Sequence, residues 1–349
     1  MTAPIDTEAL VIGAGPVGLF QVFQLGLQGI HCHLVDALPH VGGQCAELYA
    51  HKPIYDIPGI PVCTGLELIE RLQQQIKPFQ PTLHLGHTVS SIQRQSDQRL
   101  EVRTSSGTAL GAVFHTQTLF IAAGVGAFVP RRMVLSGLEA FEGRQVFAEH
   151  PQPERWAGQH LVVAGDGDAA LQTCLDAIDG PQAAASVTLL HRRDQFSATP
   201  DLIAQMRQAC AAGRMRFVAG QPTGLRTDQQ RLNALELLNP EGETEWLSLD
   251  ILQTCLGLSP KLGPIADWGL AMERKQLVVN TENFATSEPG IFAVGDINTY
   301  PGKKKLILCG FHEATLAAFG AVALLRPEEK TLLQYTTTST LLHQRLGIA

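Results

Sequence analysis

Two glycine-rich turns, G-x-G-x-x-G at residues 13–18 and G-x-G-x-x-A at residues 165–170, predict an α/β chain of two Rossmann-like three-layer domains. Each turn follows a short apolar run and precedes a stretch with helical apolar spacing, the strand–turn–helix context that gives such a motif meaning. A third observation concerns organisation. A late apolar run, residues 290–294, closes on Gly295 and Asp296, and hinge-like crossings near 124–130 and 257–263 bound the second domain, so the first is discontinuous. At 349 residues the chain is too long for one simple core. The expected boundaries are 1–125 with 262–335 for the first domain, 126–261 for the second, and 336–349 for a C-terminal extension.

In the first turn each glycine has a mechanical task. Residues 9–12 read as a buried parallel strand; Gly13 permits the tight turn, and Gly15 lets a pyrophosphate approach the backbone. Gly18 lets the next helix, which runs to Leu27, lie close on the strand. The helix start offers unpaired N–H groups and a positive dipole end to phosphate. Pro16 is tolerated there, because a first-turn residue has no intrahelical acceptor for its N–H. A second strand, 31–35, ends in Asp36, 18 residues beyond Gly18, where a carboxylate meets the ribose hydroxyls of an adenine dinucleotide. The bland alternative is a glycine-rich turn in some other α/β unit.

Next come Gly42-Gly43-Gln44, Tyr49 and residues 54–59, a loop suited to wrapping a flat ligand. Gln44 can donate and accept at the edge of a heterocycle, and Tyr49 can cover its face or simply fill a core. Residues 65–79 have helical spacing. Strand-like runs at 83–85, 89–93, 100–104 and 112–116 suggest a small antiparallel excursion, before another buried strand, 118–121, ends in a glycine turn.

The second turn follows a strand at 161–164 and opens a helix to about residue 178. The next strand, 187–190, ends in His191-Arg192-Arg193-Asp194 rather than in an acid. A carboxylate there suits a free ribose 2′-OH, whereas Arg accommodates a 2′-phosphate, so the first site reads as FAD and the second as NADP. A solvated basic pair is the alternative for Arg192 and Arg193. Asp166 puts a negative charge inside the phosphate turn, while Asp168 can cap the helix or face its dipole. Further strand-like runs lie at 217–219, 234–238 and 251–256. Residues 311–325 are helical in pattern, and 332–339 are too polar for a core helix.

Composition narrows the partners. Lys+Arg 26 against Asp+Glu 33 gives a net charge of −7, which argues against nucleic acid. No run is read as reaching the roughly 18 apolar residues of a membrane helix, and the start shows no signal-peptide pattern. A cytoplasmic chain with no membrane partner and no metal site is therefore expected. The seven cysteines, 32, 45, 63, 174, 210, 255 and 309, contain neither C-x-x-C nor C-x-x-x-x-C and read as reduced thiols.

With both turns, the Gly-Gly-Gln loop, the His-Arg-Arg strand end and the late Gly-Asp, the chain resembles the two-dinucleotide flavoprotein superfamily that includes thioredoxin reductase. Within it, the chain is most similar to the thioredoxin-reductase-like ferredoxin/flavodoxin–NADP+ reductases of bacteria and archaea. The likeness runs nearly end to end. Its more specific parts are Gly42-Gly43-Gln44 with Leu48-Tyr49 and Tyr55-Asp56, Gly126-Ala127-Phe128-Val129-Pro130-Arg131, Leu262-Gly263-Pro264-Ile265 with Trp268-Gly269-Leu270, and Gly295-Asp296-Ile297 with Tyr300 and Gly302-Lys303; the tail Gly310-Phe311-His312-Glu313-Ala314 completes it.

The resemblance implies a function. Gly13, Gly15, Gly18 and Asp36 would bind FAD at its ADP half, with Val17 also an FAD contact and Val89 giving a backbone contact to adenine. Gln44, Phe128 and Asp296 would line the flavin, Tyr49 would stack on one face, and from the extension Tyr335 would stack on the other, with Thr337 a polar contact. Gly165, Gly167, Ala170, His191, Arg192 and Arg193 would hold NADP. The family is usually homodimeric, each tail reaching the partner's flavin. Thioredoxin reductases carry C-x-x-C just before the second phosphate turn and glutathione-reductase-like enzymes C-x-x-x-x-C after the Gly-Gly pair, since a thiol-disulfide relay needs two exchange-competent sulfurs. Here residues 146–151 hold none, and Cys45 has Ala50 where a second cysteine would stand. Electrons would pass from NADPH to FAD as a hydride and then directly to ferredoxin or flavodoxin. No side-chain general acid or base is required, so no catalytic residue is named. A basic patch for an acidic acceptor would come from Arg131, Arg132 and Lys303-Lys304-Lys305, or those lysines would be a solvated run. The alternatives are another acceptor (a quinone, a thiol protein or oxygen) and a non-catalytic flavin nucleotide sensor. Three departures from the family stand out: Asp166, Ser197 where a further Arg is common, and His312 where Gly is usual.

Overall fold

The computed structural model describes residues 3–106, 109–148, 152–329 and 333–348. The chain divides into two compact units, Met1–Ala127 with Pro260–Ala349, and Phe128–Ser259.

The first unit is centred on strand β1 (Ile5–Ile12), which pairs in parallel with β2 (Cys32–Asp36) on one side and with Ala109–Ile121 on the other. Ala9, Leu10 and Val11 have no exposed surface, so both faces of β1 are covered, which is why the run is continuously apolar rather than alternating. The sheet continues beyond β2 to Thr82–Leu85 and beyond Ala109–Ile121 to Leu100–Ser106 and Thr88–Arg94, while Ile291–Ala293 returns to pair with residues 119–121. Helix α1 (Pro16–Leu27) crosses between β1 and β2 and buries Leu19, Val22 and Leu25 fully.

Three expectations are corrected here. Thr82–Leu85 is no part of an antiparallel excursion; it pairs in parallel with β2, His33 opposite Thr82 and Asp36 opposite Leu85. The runs at 112–116 and 118–121 are one strand, Ala109–Ile121, antiparallel to its neighbour in the first half and parallel to β1 in both. The polar residues between the runs need not end it, because Thr116 Oγ1 donates to Thr118 O at 2.8 Å and Thr118 Oγ1 to Glu8 O at 2.9 Å. Finally, the helix Ile307–Leu325 is long and apolar enough, with a mean hydropathy of 1.6, to meet the length and composition test for crossing a membrane. Gly310, Ala314, Ala317, Ala318 and Ala321 form its buried face, and Glu313 is buried with them; small residues there allow close packing against α1.

The extension forms a turn and then the helix Thr340–Leu346, capped by Ser339 Oγ accepting from Leu342 N. It packs on the C-terminal part of α1. Arg345 donates to Leu27 O, and its guanidinium lies against Gly29. The 12 residues of α1 span about 18 Å, so the extension is fastened at the end of that helix opposite residues 13–18.

The second unit has a five-stranded parallel sheet in the order Val146–Phe147, Ile251–Thr254, His160–Ala164, Ser186–His191 and Arg216–Ala219. Helices Asp168–Ala177 and Pro200–Ala211 cover one face through Leu171, Cys174 and Met206. A three-stranded meander, Gln221–Asp228, Arg231–Leu238 and Thr244–Ser248, covers the other through Leu235, Leu237 and Leu247. Buried Gln145 stitches meander to sheet, accepting from Leu232 N at 2.9 Å and donating to Leu232 O at 2.8 Å and Asp250 O at 2.9 Å. Each unit is thus a three-layer α/β structure.

Candidate functional site

In the first unit the glycine turn joins β1 to α1 with no slack. A methyl on Gly18 would stand 1.8 Å from Gly13 O, and one on Gly13, whose φ is +107°, 2.4 Å from Ala122 O. Gly15 is different. A methyl there would meet nothing within 4 Å, so the space above the α1 N-terminus is open to a ligand. That is the cradle a pyrophosphate requires, with the first-turn N–H groups facing it. Gly43, at φ +51°, closes one wall, its added methyl 3.1 Å from Gly15 Cα.

Asp36 sits at the C-terminal end of β2. Its Oδ2 accepts from Ala14 N at 2.5 Å and its Oδ1 from Leu38 N at 2.8 Å. Burial raises its carboxyl above the usual range, against the opposing effect of these two hydrogen bonds. The carboxylate therefore fixes the turn as well as facing it, and its remaining lone pairs are free for a diol. Val89 is buried in the strand Thr88–Arg94 beside a register shift, where its backbone leaves the regular ladder.

Gln44, Asp296 and Gly124 converge although they are far apart in sequence. Gln44 Nε2 donates to Asp296 Oδ2 at 3.4 Å, and a methyl on Gly124 would lie 3.1 Å from that nitrogen. Val17, in the first turn of α1, touches this group: methyls on Gly295 and Gly310 would meet it at 3.4 and 2.4 Å. Tyr49 presents an exposed ring with the Lys52 ammonium 5.6 Å from its centre. A flat ring system would find a polar edge at Gln44 and Asp296.

Not all predicted residues join this group. Tyr335 is exposed, and among the described residues no hydrogen bond or ring contact links it or Thr337 to Gln44, Tyr49 or Asp296. Phe128 belongs to the strand Ala127–Pro130, and its side chain lies outside the described residues. Lys303 is not a surface charge. Its ammonium is buried against the fully buried Glu313 at 2.5 Å and donates to Gly295 O at 2.9 Å, which removes it from any docking patch. Lys304 and Lys305 remain exposed. Arg132 is exposed but paired with Glu142.

Glu313 is named by the sequence only within the stretch 310–314, with no role of its own. It accepts from Gly295 N at 2.7 Å, Asn298 Nδ2 at 2.8 Å, Tyr300 Oη at 2.9 Å and Lys303. The available signal was a lone acid within the apolar stretch 307–325.

In the second unit Gly165, Gly167 and Ala170 form the turn into Asp168–Ala177. A methyl on Gly165 would lie 2.4 Å from Cys255 O and 2.9 Å from the Ala170 methyl, which leaves no room for a side chain at the first glycine. A methyl on Gly167 would meet only Ser197 Oγ, at 3.6 Å. Residues 197–199 lie against this turn: Ser197 N donates to Asp166 O at 2.9 Å, and Thr199 N to Asp168 Oδ1 at 2.6 Å. The Asp168 charge is thus engaged by that segment. His191 ends its strand with Nδ1 2.9 Å from Arg193 O. Arg192 and Arg193 are exposed, and among the described residues neither guanidinium has an ion-pair partner, so both are available to a phosphate.

The cysteines form no disulfide among the described residues. Burial pushes the Cys45 thiol up to about 11, which holds it as a thiol near neutral pH.

Comparison with known proteins agrees with this architecture. The family model of pyridine nucleotide-disulphide oxidoreductases matches residues 7–315. A protein named ferredoxin–NADP reductase from Albidiferax ferrireducens is 56% identical over 346 residues, covering 99% of this chain and 97% of the relative. Another of that name, from Acidovorax sp. (strain JS42), is 59% identical with the same coverage. Among solved structures, Lactococcus lactis thioredoxin reductase superposes with a TM-score of 0.55 at 22% identity, covering 91% of this chain and 99% of that one. The bacillithiol disulfide reductase of Staphylococcus aureus does so with 0.59 at 16%, again covering 91% and 99%. Matched over most of its length and built on that fold, the chain belongs to the pyridine nucleotide-disulphide oxidoreductase family.

Proposed function

We propose that the protein is a ferredoxin–NADP reductase, binding FAD in the first unit and NADP(H) in the second, and working without a redox-active disulfide. The observation that carries the reading is the open space over Gly15 at the α1 N-terminus, with Asp36 behind it and Gln44 and Asp296 converging alongside. Relatives of the same name at 56% and 59% identity support it.

When bound, FAD supplies the conversion between a two-electron hydride donor and a one-electron carrier. The residues of this chain bind and orient. The α1 N-terminus would neutralise pyrophosphate charge, Asp36 would accept from ribose hydroxyls, and Gln44 and Asp296 would fix the polar edge of the ring. Arg192 and Arg193 would select a 2′-phosphate. Ferredoxin or flavodoxin would meet the exposed Lys304 and Lys305 of the first unit, which, like the exposed Arg131 of the second, have no ion pair among the described residues.

The same reading extends to assembly and place. With Arg345 fastening the extension to the far end of α1, a homodimer would let Tyr335 and Thr337 serve the flavin of the second copy. Seven free thiols suit a reducing compartment such as the cytoplasm.

The test is anaerobic mixing of FAD-loaded protein with NADPH and separately with NADH, then with ferredoxin or flavodoxin, following flavin absorbance. Rapid bleaching by NADPH followed by reoxidation through the carrier is expected. Bleaching without transfer would replace the carrier with another acceptor. No bleaching would turn the protein into a nucleotide sensor.

A further inference from the structure

We propose that Glu313 and Lys303 act as a clamp on Gly295 that positions the Asp296 carboxylate and keeps the buried charge at the ring end of the first site balanced. The proposal rests on the flavin reading given above.

Gly295 is gripped at both of its backbone polar groups. Its N–H donates to Glu313 Oε2 at 2.7 Å, and its C=O accepts from Lys303 Nζ at 2.9 Å. At φ +80° it has a backbone that L side chains rarely adopt. One helical turn before Glu313, Gly310 lies so close that an added methyl would be 3.4 Å from Gly295 Cα and 2.4 Å from Val17. The peptide leading into Asp296 is therefore held between the first turn of α1 and the first turns of Ile307–Leu325. Its next side chain is the one that accepts from Gln44 Nε2.

The clamp carries two opposite charges out of water. The side chains of Lys303 and Glu313 are 7% and 0% exposed. Both carboxylate oxygens of Glu313 are doubly occupied, by Gly295 N and Asn298 Nδ2 on one and by Tyr300 Oη and Lys303 Nζ on the other. The Tyr300 hydroxyl is raised far above its usual range, by burial first and then by the hydrogen bond to Glu313. A buried ion pair rarely stabilises more than apolar residues of the same volume would, so stability gives no reason for these charges. The balance matters next to a redox group, because either charge left alone there would act on it without screening by solvent.

The experiment compares Glu313→Gln, Lys303→Met, the double variant and Tyr300→Phe, each loaded with FAD, by redox titration of the flavin. Glu313→Gln leaves an unbalanced cation and is expected to raise the flavin midpoint potential. Lys303→Met leaves an unbalanced anion and is expected to lower it. The double variant and Tyr300→Phe keep the site balanced and should stay near wild type. Shifts of the same sign in both single variants, or none, would overturn the proposal. Should neither single variant fold, the neutral double variant decides the matter. Its FAD dissociation constant is expected to rise at least tenfold, because Gly295 O loses its ammonium donor and Gly295 N keeps only an uncharged amide acceptor, and an unchanged constant would overturn the proposal. A wild-type protein that takes up no FAD would overturn the flavin reading and this proposal with it, whereas bound FAD with unmoved potentials would overturn the clamp alone.

Discussion

Gly15 and Gly18 are three residues apart in one motif, yet substituting Ala at each should have opposite consequences. A methyl on Gly18 would lie 1.8 Å from Gly13 O, about half the ordinary contact distance of 3.4 Å, and that oxygen belongs to backbone. Helix α1 would have to retreat from β1, loosening the fully buried Leu19, Val22 and Leu25. Overpacking of this kind costs about 1–3 kcal/mol, and with a backbone oxygen in the way the upper end applies. For a unit of this size, about 3 kcal/mol corresponds to a melting temperature lower by about 6–12 °C. Gly15 has φ −70° and ψ −179°, values open to alanine, and its methyl would meet nothing within 4 Å. Stability of the apo-protein should therefore change by less than about 0.5 kcal/mol. The same methyl fills the space over the first-turn N–H groups, so FAD affinity should fall by about a hundredfold or more, about 2.7 kcal/mol. Denaturant unfolding of the apo-protein and a fluorescence-quench titration with FAD separate the two effects. Wild-type FAD affinity in Gly15→Ala would place the pyrophosphate elsewhere. Equal loss of stability in both variants would mean that the space over Gly15 is not open.

At the second turn, Arg192→Ala with Arg193→Ala should raise the NADPH KM by about tenfold or more and leave the NADH KM within about twofold, since only NADPH carries the phosphate those side chains would meet; equal effects would refute the assignment. His33 Nδ1 and His84 Nε2 lie 2.9 Å apart, and both imidazoles are held below their usual range, first by burial and in His84 also by His33 and His87. The folded protein then binds fewer protons than the unfolded chain once the pH falls below about 6.5, so stability is full above that pH and declines as pH drops toward the lower folded values. His84→Phe should flatten the dependence of melting temperature on pH on that acid side, and an unchanged slope would exclude the pair as its source. Reduction of ferredoxin should slow several-fold when ionic strength rises from about 0.05 to 0.5 M, where the Debye length shrinks from about 14 to 4 Å. Lys304→Glu with Lys305→Glu should lower kcat/KM for ferredoxin and spare that for a small dye; salt-insensitive rates would remove these lysines from the docking surface. Cys45→Ala should leave electron transfer unchanged, because a thiol held near 11 is not poised for exchange, and loss of carrier reduction would reinstate a thiol step.

What the sequence determined by itself was what depends on short-range pattern. The fold class was legible because 9–12, 161–164 and 290–294 are apolar runs met by glycine turns, and buried parallel strands have no polar face to disguise them. The family was legible because its stretches are spread over nearly the whole chain. Local signals failed where tertiary partners override them. Thr116 and Thr118 look like a break, but carbonyl acceptors satisfy their hydroxyls and the strand runs on to Ile121. Lys303-Lys304-Lys305 reads as one basic run, yet Lys303 turns inward because Glu313, ten residues later and in the next helix, waits for it. The convergence of Gln44 with Asp296, 252 residues apart, is likewise invisible to any window of sequence. Only the packing of the helix Ile307–Leu325 against α1 decides which charges are buried, because a charge leaves water only when the fold supplies its partner.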